Sequence, residues 1–127
     1  MRITRAQWDE MVSHARAEAP NECCGLVRLH DGVVEDVTRA HNERASPYGY
    51  SLDAKTLLAA FNAVEEGYGV GVYHSHPRSP AEPSQTDINL AEYPDYLYLI
   101  VSLATEPDVR AWQIVDRRVT EEEIEIV

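Results

Sequence analysis

The chain has 127 residues, of which 44% are hydrophobic and 26% charged, and these values predict one globular domain over residues 1–127. Its formal net charge is −11, so the surface is expected to repel nucleic-acid backbones and anionic lipid, and neither is expected as a partner. The sequence contains no apolar stretch typical of a signal peptide and none long enough to cross a bilayer, so no membrane association is expected.

The N-terminal half is predicted to combine helices with strands. Thr4 and Gln7 have the spacing of a capping box, and Asp31-Gly32 is a strong hairpin signal. The apolar stripe of the first helix comprises Trp8, Met11, Val12, Ala15 and Ala19. The predicted elements are a helix over Arg5–Ala19, strands over Cys23–Leu29 and Val33–Arg39, and a loop over Ala40–Tyr50.

The two cysteines, Cys23 and Cys24, are adjacent in the first predicted strand. Neighbouring side chains on an extended chain point to opposite faces, so the two are poor disulfide partners for each other. This pattern favours a reducing compartment, and we expect a cytoplasmic protein. Free cysteines are usually small buried hydrophobic residues, and we favour that role here over a nucleophile or a metal ligand.

A second helix, capped by Asp53 and ending at Gly67, is predicted next. Its apolar stripe comprises Ala54, Leu57, Leu58, Phe61 and Val64. The elements predicted after it are strands over Val70–Tyr73, Tyr96–Leu103, Val109–Val115 and Arg118–Val127, with a short helix over Ser84–Ala91. Together these elements predict a mixed α/β domain of the α+β type, with a single curved sheet, two long helices and a short one.

His74, His76 and Asp87 form the most informative pattern of the sequence. Two histidines two residues apart on an extended chain point to the same side, so both rings can face one ion. A carboxylate added from another direction gives a set of two histidines and one aspartate. Catalytic zinc uses such sets and keeps a fourth position for water. Some iron enzymes use the same triad.

The segment between the histidines and Asp87 contains three prolines, which fix the backbone and reduce the entropy lost in placing the carboxylate. Ser84 and Asp87 have the spacing of a helix cap and the third helical residue, so a cap alone can also explain them. A zinc hydrolase further needs a general base. The spacing of residues does not identify which glutamate acts as this base.

The run His74-Ser75-His76-Pro77, followed by Ser84 and Asp87, resembles the signature H-x-H-P-x(6)-S-x-x-D of the JAMM (MPN-plus) zinc metalloprotease family. The resemblance implies a cytidine-deaminase-like fold and Zn²⁺ held by the two histidines and the aspartate. It also implies that Glu22, which precedes the first strand, is the general base, and that Ser84 stabilises the oxyanion of the tetrahedral intermediate.

Three further segments are similar to the bacterial Mec-type peptidases of this family: Asn42–Pro47, Tyr50–Asp53 and Ile114–Asp116. These peptidases remove cysteine from the C-terminal Gly-Gly of CysO, a small ubiquitin-like sulfur-carrier protein. The resemblance therefore implies a carrier protein as substrate and a role in cysteine biosynthesis.

Several alternatives stay open at this point. The substrate can instead be a ubiquitin-like protein attached to lysine, or a carrier with a C-terminal extension to be trimmed. The chain can also be a catalytically silent scaffold of the same fold. Asn42 and Ser46-Pro47 fit either a cleft or a simple turn, and the oligomeric state stays open. Three histidines have no partner pattern and are expected to be structural or on the surface: His14, His30 and His41.

Overall fold

Eight strands form one mixed sheet in the computed structural model, which describes all residues 1–127. The elements in chain order are β1 (Arg2–Ile3), α1 (Arg5–Glu18), β2 (Cys24–His30), β3 (Val33–Arg39), α2 (Ala54–Glu65), β4 (Gly69–His76), α3 (Gln85–Leu90), β5 (Leu97–Ser102), β6 (Asp108–Val115), β7 (Arg118–Glu122) and β8 (Glu125–Ile126). The strand order is β7-β6-β5-β4-β2-β3-β1-β8. The predicted mixed sheet with two long helices and one short helix is confirmed.

The sheet curves until its two edges approach each other. The single strand predicted over Arg118–Val127 is wrong, because the segment forms two strands: β7 pairs with β6, whereas β8 pairs with β1 at the opposite edge. Only residues 123–124 separate β7 from β8, and three residue steps span at most about 10 Å. The two-residue β1 was not predicted, because a strand of two residues is too short to show the alternation of apolar and polar side chains.

Helix α1 covers one face of the sheet. Its predicted capping box is present: the Gln7 backbone N–H donates to Thr4 Oγ1 at 3.1 Å, and the Thr4 N–H donates to Gln7 Oε1 at 3.0 Å. Met11, Val12 and Ala15 are buried in the larger core cluster, as their spacing predicted. This cluster also contains residues of β2, β4, β5 and β6, so α1 lies against the middle of the sheet.

Helix α2 lies on the opposite face of the sheet, but its predicted apolar stripe faces the solvent and not the sheet. An apolar stripe normally faces the core, yet Leu58 and Phe61 are each 60% exposed. The rest of the stripe is also exposed: Ala54, Leu57 and Val64. The buried residues of α2 are Thr56, Ala60 and Ala63, and the two alanines pack with Leu26 and Val70. Small side chains let the helix lie close to the sheet, which a count of large apolar residues does not predict. None of the helices is long and apolar enough to span a membrane.

Tyr73 of β4 packs against Gly25 of β2 on the face covered by α1. A Cβ atom at Gly25 would overlap the Tyr73 ring, so only glycine fits here without a shift. The Tyr73 hydroxyl lies 2.7 Å from Nδ1 of the buried His14, so this histidine is structural. Cys23 and Cys24 are buried and free, as expected, whereas His30 and His41 are exposed.

We expect Gly25→Ala to lower the free energy of unfolding by about 1–3 kcal/mol, because the added methyl group overpacks the core against the Tyr73 ring. Urea denaturation measures this change. Gly69→Ala is the matched control, since a Cβ there meets Leu29 Cβ at an ordinary 3.5 Å. Equal stabilities of the two variants would contradict the close packing of Gly25 on Tyr73.

Candidate metal centre

His74 and His76 lie at the C-terminal end of β4 and are buried. The strand runs through both histidines, beyond the predicted end at Tyr73. Because strand residues alternate between faces, the two rings lie on the face opposite Tyr73 and α1. Their Nε2 atoms are 3.2 Å apart. The sequence expectation that both imidazoles face one point is confirmed.

Asp87 reaches the two histidines from the first turn of α3. Its Oδ2 atom lies 3.2 Å from His74 Nε2 and 3.0 Å from His76 Nε2. Ser84 is the cap of this helix, and its Oγ accepts a hydrogen bond from the Asp87 N–H at 3.0 Å. The three potential donor atoms form a triangle with sides of 3.0–3.2 Å. Tetrahedral ligands at zinc–nitrogen distances are about 3.3 Å apart, so this cluster fits a metal ion of that kind.

Neighbouring groups orient both rings. His76 Nδ1 lies 2.8 Å from the Pro80 carbonyl oxygen, which can only accept, so Nδ1 carries a proton. Nε2 is therefore the ring nitrogen directed at the cluster, and its lone pair is available to a metal ion once Nε2 is deprotonated. Pro80 belongs to the proline-containing loop, which thereby orients a histidine as well as delivering Asp87. The His74 ring stacks on Tyr50 with centroids 4.4 Å apart.

The pKa values of Asp87, His74 and His76 are shifted by burial and by the contacts among the three side chains. Burial alone would raise the pKa of Asp87, but hydrogen bonds from His74 and His76 outweigh it and hold that pKa well below its ordinary value. Burial lowers the pKa of His74. For His76 burial acts in the same direction, but the hydrogen bonds to Asp87 and Pro80 and the charges of Asp87 and Glu22 together outweigh it and raise the pKa. The aspartate is therefore ionised and ready to bind a cation.

Glu22 lies beside this cluster. β2 and β4 are antiparallel with Cys24 opposite His74, and continuing that register by two residues places Glu22 opposite His76. The Glu22 side chain is buried, and its Oε1 atom has no hydrogen-bond partner. Burial raises the pKa of Glu22 to about 7, with opposing effects of the His76 and Asp87 charges. A carboxyl group with such a pKa can both take up and release a proton near neutral pH.

A cleft of about 270 Å³ adjoins the cluster and is lined by Tyr50, Asp87, Leu57 and Tyr98 among others. One wall is the loop over 42–52, which Asn42 holds in place. The Asn42 side chain donates to the Glu22 and Gly49 carbonyl oxygens and accepts from two backbone N–H groups. Spacing left open whether Asn42 shapes a cleft or a simple turn. In the structure it holds the loop together, and residues 49–52 of that loop line the cleft, although Asn42 itself does not. The stacking role of Tyr50 had no signal in the sequence.

Residues 4–115 match the family of prokaryotic homologs of the JAB domain. The chain belongs to this JAB-domain family. The suspected JAMM/MPN relationship is thus confirmed, and solved structures extend it to the fold. A JAB1/MPN domain protein from Archaeoglobus fulgidus, 22% identical, superposes with a TM-score of 0.67 over 100% of this chain and 99% of that chain.

Two relatives of this JAB-domain chain carry names that describe an enzymatic activity. A CysO-cysteine peptidase from Mycobacterium tuberculosis is 39% identical over 92% of this chain and 84% of its own length. A desampylase from Haloferax volcanii is 40% identical over 74% of both chains. A protein from Desulfitobacterium hafniense, solved in solution, is 38% identical and superposes with a TM-score of 0.85 over 99% of this chain and 92% of that chain.

We expect the metal-free JAB-domain chain to bind one zinc ion, and Asp87→Asn to weaken binding by at least about 10- to 100-fold, because that loss is typical even of residues outside the ligand set. Titration calorimetry or metal analysis after dialysis measures this. Asp53→Asn is the matched control, because Asp53 caps α2 through a similar bond to the Thr56 N–H and is not one of the cluster residues. Equal zinc affinity of Asp87→Asn and the unaltered chain would contradict this ligand set.

Proposed function

We propose that this chain is a zinc-dependent peptidase that hydrolyses the bond after the C-terminal Gly-Gly of a small ubiquitin-like sulfur-carrier protein and releases cysteine. One observation carries the proposal: the buried Glu22 carboxyl group lies beside a cluster of two histidines and one aspartate. The choice of substrate is supported by the relative named CysO-cysteine peptidase, which aligns with 92% of this chain.

In this proposal His74, His76 and Asp87 hold the zinc ion. Catalytic zinc sites with three protein ligands keep a fourth position for water or substrate. When bound, zinc polarises the substrate carbonyl group and makes a water molecule more acidic. Iron uses similar triads, but a buried carboxyl group with an unpartnered oxygen favours proton transfer and hence hydrolysis.

Glu22 moves the proton. Its Oε1 atom accepts a proton from the attacking water, and the remaining hydroxide forms a bond to the carbonyl carbon of the last glycine. When the carbon–nitrogen bond breaks, Glu22 returns the proton to the leaving amine. The products are a carrier with a free carboxylate at its terminal glycine and a free amino acid. One water molecule is consumed, and no oxidant or second substrate is required.

Ser84 is proposed to donate a hydrogen bond to the oxyanion that forms on the carbonyl oxygen. A hydroxyl group can accept two hydrogen bonds and donate one. Because Ser84 Oγ already accepts from the Asp87 N–H, its own proton is available to the substrate. The helix cap thus holds the oxygen in place while leaving the donor free.

A second candidate is the cleavage of a ubiquitin-like protein from lysine side chains of other proteins. The relatives named desampylase and probable TtuB-protein conjugate cleaving protease favour it, at 40% and 38% identity. The bond broken is again an amide at a carrier terminus, so the same residues would serve. A catalytically silent scaffold is disfavoured because all three metal-binding side chains and the base are present.

Mass spectrometry of a CysO–cysteine adduct tests the proposed function. Incubation with the zinc-loaded chain is expected to remove one cysteine residue, and a chelator is expected to prevent this. Glu22→Gln should retain zinc yet lower kcat by roughly 10²–10⁴-fold, since the amide cannot accept the proton.

Gln113→Glu is the control for exchanging a carboxyl group and an amide. Gln113 lies on β6, which β5 separates from the strand that carries the two histidines. Its turnover should equal that of the unaltered chain. An intact adduct after incubation with protein that demonstrably holds zinc would refute the cysteine-releasing role. Full activity of Glu22→Gln would refute the assigned base.

We expect Ser84→Ala to retain zinc and to lower kcat by roughly 10²–10³-fold, the loss typical of removing one oxyanion donor. Steady-state kinetics on the same adduct measure it. Ser84→Thr keeps both the cap and the hydroxyl group and should recover much of the rate. If Ser84→Ala changed only the stability of the protein, Ser84 would be a helix cap and nothing more.

A further inference from the structure

Arg44 is the only cationic side chain among the residues that line the cleft beside the metal centre. It is exposed and forms no ion pair, unlike Arg28, Arg39 and Arg110, which are bound to carboxylates. In a chain with a net charge of −11, an unpaired guanidinium group gives this cleft a local attraction for anions.

One side chain fixes Arg44 relative to the proposed base. The buried Asn42 donates from Nδ2 to the Glu22 carbonyl oxygen at 2.9 Å, and its Oδ1 accepts from the Arg44 N–H at 3.0 Å. The Glu22 N–H in turn donates to the Ser46 carbonyl oxygen at 2.9 Å. The backbones of Glu22 and Arg44 are therefore bridged by a single amide group.

Gly49 makes room for the guanidinium group. A Cβ atom at position 49 would overlap the Arg44 side chain, whose guanidinium lies across the glycine. Gly49 is itself buried and is held by a hydrogen bond from Asn42. The loop thus both positions the backbone of Arg44 and leaves a place for its charged end.

We propose that Arg44 binds the α-carboxylate of the amino acid that the hydrolysis releases. This rests on the proposed function, in which Glu22 protonates the leaving amine. In a C-terminal amino acid the carboxylate carbon is only about 2.5 Å from that nitrogen, across one Cα atom. An amine at Glu22 therefore brings the carboxylate towards the neighbouring guanidinium group, which binds carboxylates through two parallel hydrogen bonds.

This contact makes the enzyme selective for a single amino acid at the end of the carrier. When a carrier is attached to a lysine side chain within a protein, the leaving nitrogen is bonded to a methylene chain and no carboxylate lies next to it. Such a conjugate cannot engage Arg44. The residue therefore decides between the two candidate substrates of the metal centre.

The test compares two substrates that differ only in charge: CysO carrying a C-terminal cysteine and CysO carrying cysteinamide. For the unaltered, zinc-loaded chain we expect kcat/KM to be about 10- to 100-fold higher for the acid, the range of a hydrogen bond to a charged group. Arg44→Gln should remove this preference by lowering kcat/KM for the acid and leaving that for the amide unchanged. Arg44→Lys should recover part of it.

Gly49→Ala is an independent variant, expected to reduce the same preference by displacing the guanidinium group. Arg16→Gln is the control: it removes the same charge from exposed surface of α1, on the other face of the sheet, and should leave the preference intact. An unaltered chain that cleaves both substrates equally, or an Arg44→Gln variant that slows both equally, would overturn the proposal. Failure of the unaltered chain to cleave either substrate would instead refute the proposed function.

Discussion

β2 and β4 are paired so that Cys24 lies opposite His74, and the position of Glu22 beside the two histidines of the candidate metal centre depends on that register. A shift by one residue would turn the histidines to the face occupied by α1. The packing of the Tyr73 ring on Gly25 makes such a shift costly, because Gly25 is the only residue of β2 without a side chain. Core packing on one face of the sheet thereby fixes the chemistry on the other.

The metal centre is also where the fold leaves polar groups unsatisfied. Two buried side-chain atoms of the whole chain have no hydrogen-bond partner, Glu22 Oε1 and His74 Nδ1, and both lie here. Such atoms cost stability, and native proteins seldom retain them without a reason. The sheet supplies the rigidity that holds them, since β4 lies between two paired neighbours and the loop over 42–52 is tied to the backbone of Glu22.

Local patterns of the sequence predicted most of the helices and strands, including the three helix N-caps and the two histidines on one side of β4. The errors arise where distant parts of the chain meet. α2 buries Ala60 and Ala63 because the sheet approaches closely there, and the C-terminal segment divides because both edges of a curved sheet compete for it. Spacing alone did not single out Glu22 either: its place opposite His76 results from pairing between segments some fifty residues apart.

Ser84 and Asp87 show why the sequence allowed two interpretations of the same residues. Asp87 Oδ2 accepts a hydrogen bond from the Ser84 N–H at 2.9 Å, and the same oxygen faces both histidines. The helix cap and the proposed metal ligand are therefore one atom, and the cap holds that atom where a cation can bind it. A capping box elsewhere in the chain, at Thr4 and Gln7, has no histidines beside it and only begins a helix. The spacing of a motif defines its local geometry, whereas its chemistry depends on the side chains of the sheet that contact it, here the two histidines of β4.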